Sequence, residues 1–167
     1  MEQHSDTGAP VAVELVIDGG VVVGNDGSAA ARAALRWAAD DAARRATTLH
    51  VVRCWSLRTA PRPATWQAGY VPPLEDWDAA VREELLRDRA LIGEFTDLDV
   101  QWHTVHAGPG PVLARATRNA DLVVVGSHGH SELRELLLGS VAEYVLHHAH
   151  GPVVVVHAGG RGADDER

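Results

Sequence analysis

The chain has 167 residues, 46% hydrophobic and 23% charged, proportions of one folded domain with a sizeable core and not of a disordered chain. Acidic residues outnumber basic ones 23 to 15, for a formal net charge of -8, which argues against a nucleic-acid partner. All 15 basic residues are arginine and Cys54 is the single cysteine, which excludes a phosphate-binding lysine, Schiff-base chemistry, an internal disulfide and a cysteine-based zinc site.

Residues 1–10 and 159–167 are polar, charged or Gly-rich and are expected to be mobile tails around one domain over 11–158. Residues 11–17, followed by Asp18-Gly19-Gly20, read as an extra hairpin strand at the front. Val21-Val22-Val23 is a short strand ending in the turn Gly24-Asn25-Asp26-Gly27. Ser28 is then the N-cap of an Ala-rich helix through Arg45, with Leu35, Ala38, Ala42 and Ala46 on one face. Asp40/Arg44 and Asp41/Arg45 are i,i+4 pairs with the acid first, the favourable order.

Residues 49–55 read as the second strand. Residues 58–73 hold four prolines and no period, so they form a loop. Trp77, Val81, Leu85 and Leu86 mark a helix within 74–93, and 98–105 alternates as a third strand. Gly108-Pro109-Gly110-Pro111 turns the chain into a helix near 112–119. The unbroken apolar run within 121–126 marks a strand covered on both faces. A short helix near 131–137 and a longer one over 140–150 follow, the latter stopped by Gly151-Pro152. Val153–Val156 is the fifth strand. Alternating strands and helical crossovers predict an α/β fold, an open five-stranded parallel sheet with helices on both faces, Rossmann-like. No apolar run nears the roughly 18 residues of a membrane span. The first residues lack the basic and apolar segments of a secretory signal. A soluble cytoplasmic protein is the expectation.

In such sheets ligands sit beyond the carboxyl ends of the strands. Two loops qualify: residues 24–28, and Gly126-Ser127-His128-Gly129 with Gly139-Ser140-Val141 ten residues on. Glycines at 126 and 129 let backbone N–H groups approach an anion. Gly139-Ser140 opens a helix whose free N–H groups and positive dipole end attract one, and Ser140 adds a hydroxyl. The same glycines could equally do no more than cap and turn a βα connection.

These residues resemble a known family. The segments VVVGNDGS (21–28), DLVVVGSHG (121–129) and LLLGSVAEYVLHHAHGPVVVV (136–156) are similar in order and spacing to the universal stress proteins. The G-x2-G-x9-G-S pattern is similar to that of their ATP-binding subclass. The resemblance implies the adenine nucleotide alpha hydrolase-like variety of the fold and ATP, alone or with Mg2+, as ligand. It places Gly24, Asn25 and Asp26 at the edge of an adenosine pocket and Cys54 where a backbone group contacts adenine. Val125, Gly126, Ser127, His128, Gly129, Gly139, Ser140 and Val141 fall in the ribose and phosphate region. Asn25 and Cys54 depart from the family's usual residues there.

The resemblance further implies a nucleotide-dependent regulatory or stress-response protein that forms a homodimer through Val153–Val156. Its regulatory partner is not legible, and neither nucleic acid nor membrane is expected as one. Two alternatives remain open: a nucleotide-free interaction module, and a slow ATPase. Nothing points to efficient catalysis, since no G-x-S-x-G elbow or Cys–His pairing is present and Asp26 is the one acid in the matched loops. His147, His148 and His150 cluster near a helix end, where the dipole alone explains them, so no metal site is expected. Trp37 and Trp102 are expected in the core, Cys54 as a buried apolar residue, and Trp66 in a loop that could serve as a lid or a partner contact.

Overall fold

The computed structural model describes residues 10–130 and 138–159. The short helix expected near 131–137 lies outside them, as do most of both tails. Five strands, β1 (Val21–Gly24), β2 (Leu49–Cys54), β3 (Val100–Val105), β4 (Leu122–Gly126) and β5 (Val153–Val156), alternate with four helices. The helices are α1 (Ala29–Arg45), α2 (Leu74–Arg87), α3 (Pro109–Ala116) and α4 (Ser140–His148). A 3-10 turn, Asp88–Ile92, continues α2 where the sequence suggested one longer helix.

The sheet is parallel throughout, in the order β3-β2-β1-β4-β5. From β1 the chain builds outward one way through β2 and β3, then returns to place β4 and β5 on the other side. The order therefore reverses between β1 and β4, and helices on opposite faces splay apart at the strands' carboxyl ends there. The fold is the expected Rossmann-like one.

Each strand is covered twice. Val21, Val23, Leu49, Val51 and Val124 pack under α1, while Val22, Val52, Val123 and Val125 pack under α3 and α4. Ser28 caps α1 by accepting from Ala31 N, and both acid–arginine pairs on its surface form. Ala30, Ala34, Ala38 and Ala42 face the sheet. Trp37 shares its side of the helix with Asp40, Asp41 and Arg44, three, four and seven residues on, and so stands outside, 40% exposed, against the expectation of a core position. Ala46 also leaves the predicted face: it is the exposed C-cap, at φ 50. Trp102 is partly buried against the α1-side core, with the Arg89 guanidinium over its ring.

The front strand expected over residues 11–17 is not formed. That segment joins no sheet, and Val13 and Val16 are exposed. Leu15 and Ile17 instead drape over the α3/α4-side core, and Ala12 O accepts from His106 N at 2.8 Å. Gly19 and Gly20, at φ +77 and +78, then turn the chain straight into β1. A Cβ at Gly20 would stand 2.6 Å from Thr48 O, so glycine is required twice over there.

Candidate functional site

The β1–α1 loop is built by its own side chains. Asn25 Oδ1 accepts from Gly27 N at 2.8 Å, and Asp26 Oδ1 accepts from Ser28 N at 2.9 Å. This pair of Asx turns is completed by Gly27 at φ +80. Asn25 is 3% exposed, and its Nδ2 donates to Asp88 Oδ2 at 2.9 Å, while Arg32 Nε donates to Asp88 Oδ1 at 3.1 Å. The loop is thereby tied to the 3-10 turn that follows α2.

The second loop leaves β4. Ser127 N donates to Val156 O at 2.8 Å, prolonging the β4–β5 ladder by one bond. Gly139 N donates to Ser127 O at 2.6 Å, which fixes the start of α4 against the loop. A Cβ on Gly139 would lie 3.1 Å from His128 Cα and 3.2 Å from Ser127 O. The first helical bond of α4 runs from Glu143 N to Gly139 O, so the amides of Ser140, Val141 and Ala142 precede it and carry the positive end of the helix dipole. The loops are joined by Ser28 Oγ, which donates to His128 O at 3.4 Å, and by a His130 ring nitrogen that lies 2.7 Å from Asp26 O.

Between the loops lies a cavity of about 630 Å³, within the usual range for small-molecule sites. All the residues singled out from the sequence line it: Gly24, Asn25, Asp26, Cys54, Val125, Gly126, Ser127, His128, Gly129, Gly139, Ser140 and Val141. They come from the carboxyl ends of three strands and the start of α4. Gly126 has a second duty, because a Cβ there would stand 2.8–2.9 Å from the α1 backbone and Cβ at Ala30 and Ala31. Gly129 faces Asp26 Oδ2, which a Cβ would approach to 2.7 Å.

The wall also holds residues the motifs did not indicate. Trp55, Ser56 and Thr59 follow β2, and His106, Gly108 and Pro109 follow β3. The strand-end rule that selected the glycine loops applies equally to these two ends, and it was the only signal available. Arg53 is buried, with Glu84 Oε2 3.6 Å from its Nη2. Burial pushes the Cys54 thiol up to about 12, against the weaker opposing pull of Arg53, so the side chain is a neutral apolar lining group.

Elsewhere, the carboxyl-terminal histidines point apart. His148 Nδ1 lies 2.8 Å from Tyr144 O, His150 Nε2 3.0 Å from Arg118 Nη2, and His147 is paired with Glu143. Among the described residues no group of three or more His, Cys, Asp or Glu side chains is placed to hold a metal ion, and no helix is long and apolar enough to cross a membrane. Trp66 is exposed, with the Arg62 guanidinium 4.5 Å from its ring centre.

Comparison with known proteins gives a consistent result. The sequence profile of the universal stress protein family matches residues 20–157. A universal stress protein of Mycolicibacterium smegmatis is 34% identical over 164 residues, which cover 93% of this chain and 53% of that protein. One of Mycobacterium tuberculosis is 38% identical over 144 residues, covering 83% and 47% respectively. The chain thus spans about half the length of these curated relatives. Among solved structures, a universal stress protein in complex with cAMP aligns at a TM-score of 0.59 and 25% identity, over 85% of this chain and 98% of that one. The Archaeoglobus fulgidus protein in complex with dAMP aligns at 0.55 and 25% identity, over 84% and 99%.

Proposed function

Because the chain belongs to the universal stress protein family, we propose that it binds an adenine nucleotide, ATP by preference, in the cavity at its strand ends and works as a nucleotide-dependent regulator in the stress response. The observation that carries this reading is the convergence of both glycine loops on one cavity. Solved relatives at 25% identity hold cAMP and dAMP, which supports the adenine class without choosing among its members.

The cavity's chemistry fits such a ligand. At the β4–α4 end, Gly129 and Gly139 let the loops close on one another where a Cβ would press on Asp26, Ser127 and His128, and the first amides of α4 with the Ser140 hydroxyl would hold phosphate oxygens. That arrangement replaces the lysine the chain lacks. At the other end Val52, Leu113 and Cys54 offer an apolar slot for a base, with Gly24, Asn25 and Asp26 at its edge. Asp26 is the one carboxylate in the described wall, and its Oδ1 already accepts from Ser28 N. Magnesium accompanying the nucleotide would therefore be carried by the phosphates. A single carboxylate that already serves the turn of its own loop favours holding the nucleotide over turning it over.

The same reading includes a cytoplasmic homodimer. β5 is a sheet edge whose four valines are half-buried, and pairing with a second copy would satisfy its unpaired backbone groups. A monomer in light scattering at micromolar concentration would remove that part.

Calorimetric titration with ATP and AMP, each with and without magnesium, tests the whole. Saturable binding with unit stoichiometry is expected. No heat at millimolar nucleotide would overturn the reading in favour of a nucleotide-free interaction module. Magnesium-dependent phosphate release that falls in Asp26→Ala would favour a slow ATPase.

A further inference from the structure

Three histidines stand in the cavity wall, at 106, 128 and 130. Two are engaged by the protein: His128 Nδ1 lies 3.1 Å from Ser127 Oγ, and a His130 ring nitrogen lies 2.7 Å from Asp26 O. His106 is different. Its imidazole is stacked on the Trp55 indole, with ring centres 4.4 Å apart and planes at 28°. Trp55 is itself buried, and its Nε1 donates to Asp78 Oδ1 at 3.0 Å. The His106 backbone is held by the bond from its N to Ala12 O. Ring plane and backbone are both fixed, yet among the described residues no protein group hydrogen-bonds the ring nitrogens.

The position of this ring gives it a meaning. β3 lies three places from β4 in the sheet; at about 4.8 Å per strand, His106 sits on the order of 14 Å from the glycine loop, at the far end of the cavity. The near end is made of backbone amides and a helix start, and the far end of the side chains of Cys54, Trp55, His106 and Pro109 with the hydroxyls of Ser56 and Thr59 beside them. A phosphate suits the first and a flat heterocycle the second. An apolar slot alone would hold any flat ring; an imidazole in its wall adds two ring nitrogens that face different directions, one of which can meet a donor or acceptor on a purine edge.

We infer that His106 is the base-contacting residue of this cavity, hydrogen-bonding the edge of a purine ring, and that Trp55 is the positioning residue that holds its imidazole in place. The inference rests on the nucleotide reading above and deepens it. It also accounts for two features that reading leaves unused: the stack, and the clamp of the amino-terminal segment on His106 N through Ala12 O.

The test separates a polar contact from mere packing. His106→Phe keeps a ring to stack on Trp55 and removes both nitrogens, whereas His106→Asn gives up the stack and keeps a donor and an acceptor. Affinities of the full chain for adenosine and for AMP are measured by calorimetry, beside thermal unfolding. In His106→Phe affinity is expected to fall about three- to tenfold, the worth of one net hydrogen bond, by the same factor for both ligands and with the melting temperature little changed. His106→Asn is expected to keep more affinity than the Phe variant. Imidazole 15N signals, with His106 assigned by its loss in the Asn variant, should shift when AMP is added to the parent chain.

Parent-like affinity in His106→Phe, a fall confined to AMP, the reverse order of the two variants, or unmoved His106 signals would each overturn the inference. Failure of the parent chain to bind either ligand would refute the nucleotide reading, and this inference with it.

Discussion

Gly126, Gly129 and Gly139 share one motif, but an added methyl meets something different at each. At Gly126 it would stand 2.8 Å from the Ala30 carbonyl carbon and 2.9 Å from Ala30 Cβ and Ala31 N, about half an ångström inside ordinary contact. Those atoms belong to the first turn of α1, which cannot rotate away as a side chain can. Overpacking of this kind costs about 1–3 kcal/mol. Replacing glycine by alanine also restricts the unfolded chain, which returns about 0.4–1 kcal/mol. The net expectation for Gly126→Ala is a loss of about 1–2 kcal/mol, or about 2–8 °C in Tm for a chain of this size. At Gly129 the methyl would meet only the Asp26 carboxylate, Oδ2 at 2.7 Å, which can turn by the few tenths of an ångström needed while Oδ1 keeps its bond from Ser28 N. Stability there should stay within about 0.5 kcal/mol. At Gly139 the methyl presses on His128 Cα and Ser127 O at 3.1 and 3.2 Å, displacing the loop by a few tenths of an ångström while the sheet stays in place. Nucleotide affinity should then fall about ten- to a hundredfold, since one hydrogen bond to a charged oxygen is worth about 1.5–3 kcal/mol. Thermal unfolding and AMP titration of the three variants provide the check. Gly126→Ala as stable as the parent, or Gly139→Ala destabilised with its affinity intact, would refute this division of roles.

Asp88→Ala strips the acceptor from buried Asn25 Nδ2 and from Arg32 Nε; urea unfolding should show a loss of about 1–3 kcal/mol, the cost of an unsatisfied buried polar group, and an unchanged midpoint would refute the role given to this network. Burial, and then the positive fields of His50 and Arg82, push His103 down to about 4 from its ordinary 6.5, and burial lowers His50 as well against the opposing pull of Asp99. The fold therefore favours the neutral ring: its contribution is complete above pH 6.5 and is lost as pH falls toward 4, at a slope that solvent around the half-buried ring keeps below the one-proton limit of about 1.4 kcal/mol per pH unit. His103→Gln should flatten the stability profile in that window relative to the parent, and identical profiles would refute the assignment. Cys54, half-buried and with its thiol pushed up to about 12 by desolvation, should react slowly with an aromatic disulfide reagent at pH 8 and rapidly once the chain is unfolded; rapid reaction in the native state would contradict the neutral thiol.

The alternation of apolar runs with helical periods was enough to read the sheet, because a parallel strand covered on both faces has little freedom to be anything but a run such as 122–125 or 153–156. Trp37 invites a core reading by its aromatic ring alone, yet the face drawn through Leu35, Ala38 and Ala42 already turns it away, toward Asp40, Asp41 and Arg44. What escaped the sequence depended on distance between elements. Val11, Leu15 and Ile17 would look the same whether they paired as a strand or draped over a core, and the choice falls to Gly19 and Gly20 at positive φ. The glycine loops were legible because their chemistry is local: small residues, a turn and a helix start in one stretch of chain. Trp55 and His106 were not, because only the order β3-β2-β1 brings the ends of β2 and β3 to the same cavity. Asn25 shows the same limit from the other side. Read in sequence it is a departure from the family's usual small or apolar residue; in the fold its amide reaches Asp88, 63 residues away, and holds the loop from beneath. A polar residue at a buried position of a cavity loop is thus better judged by the partner that satisfies it than by how rarely relatives carry it.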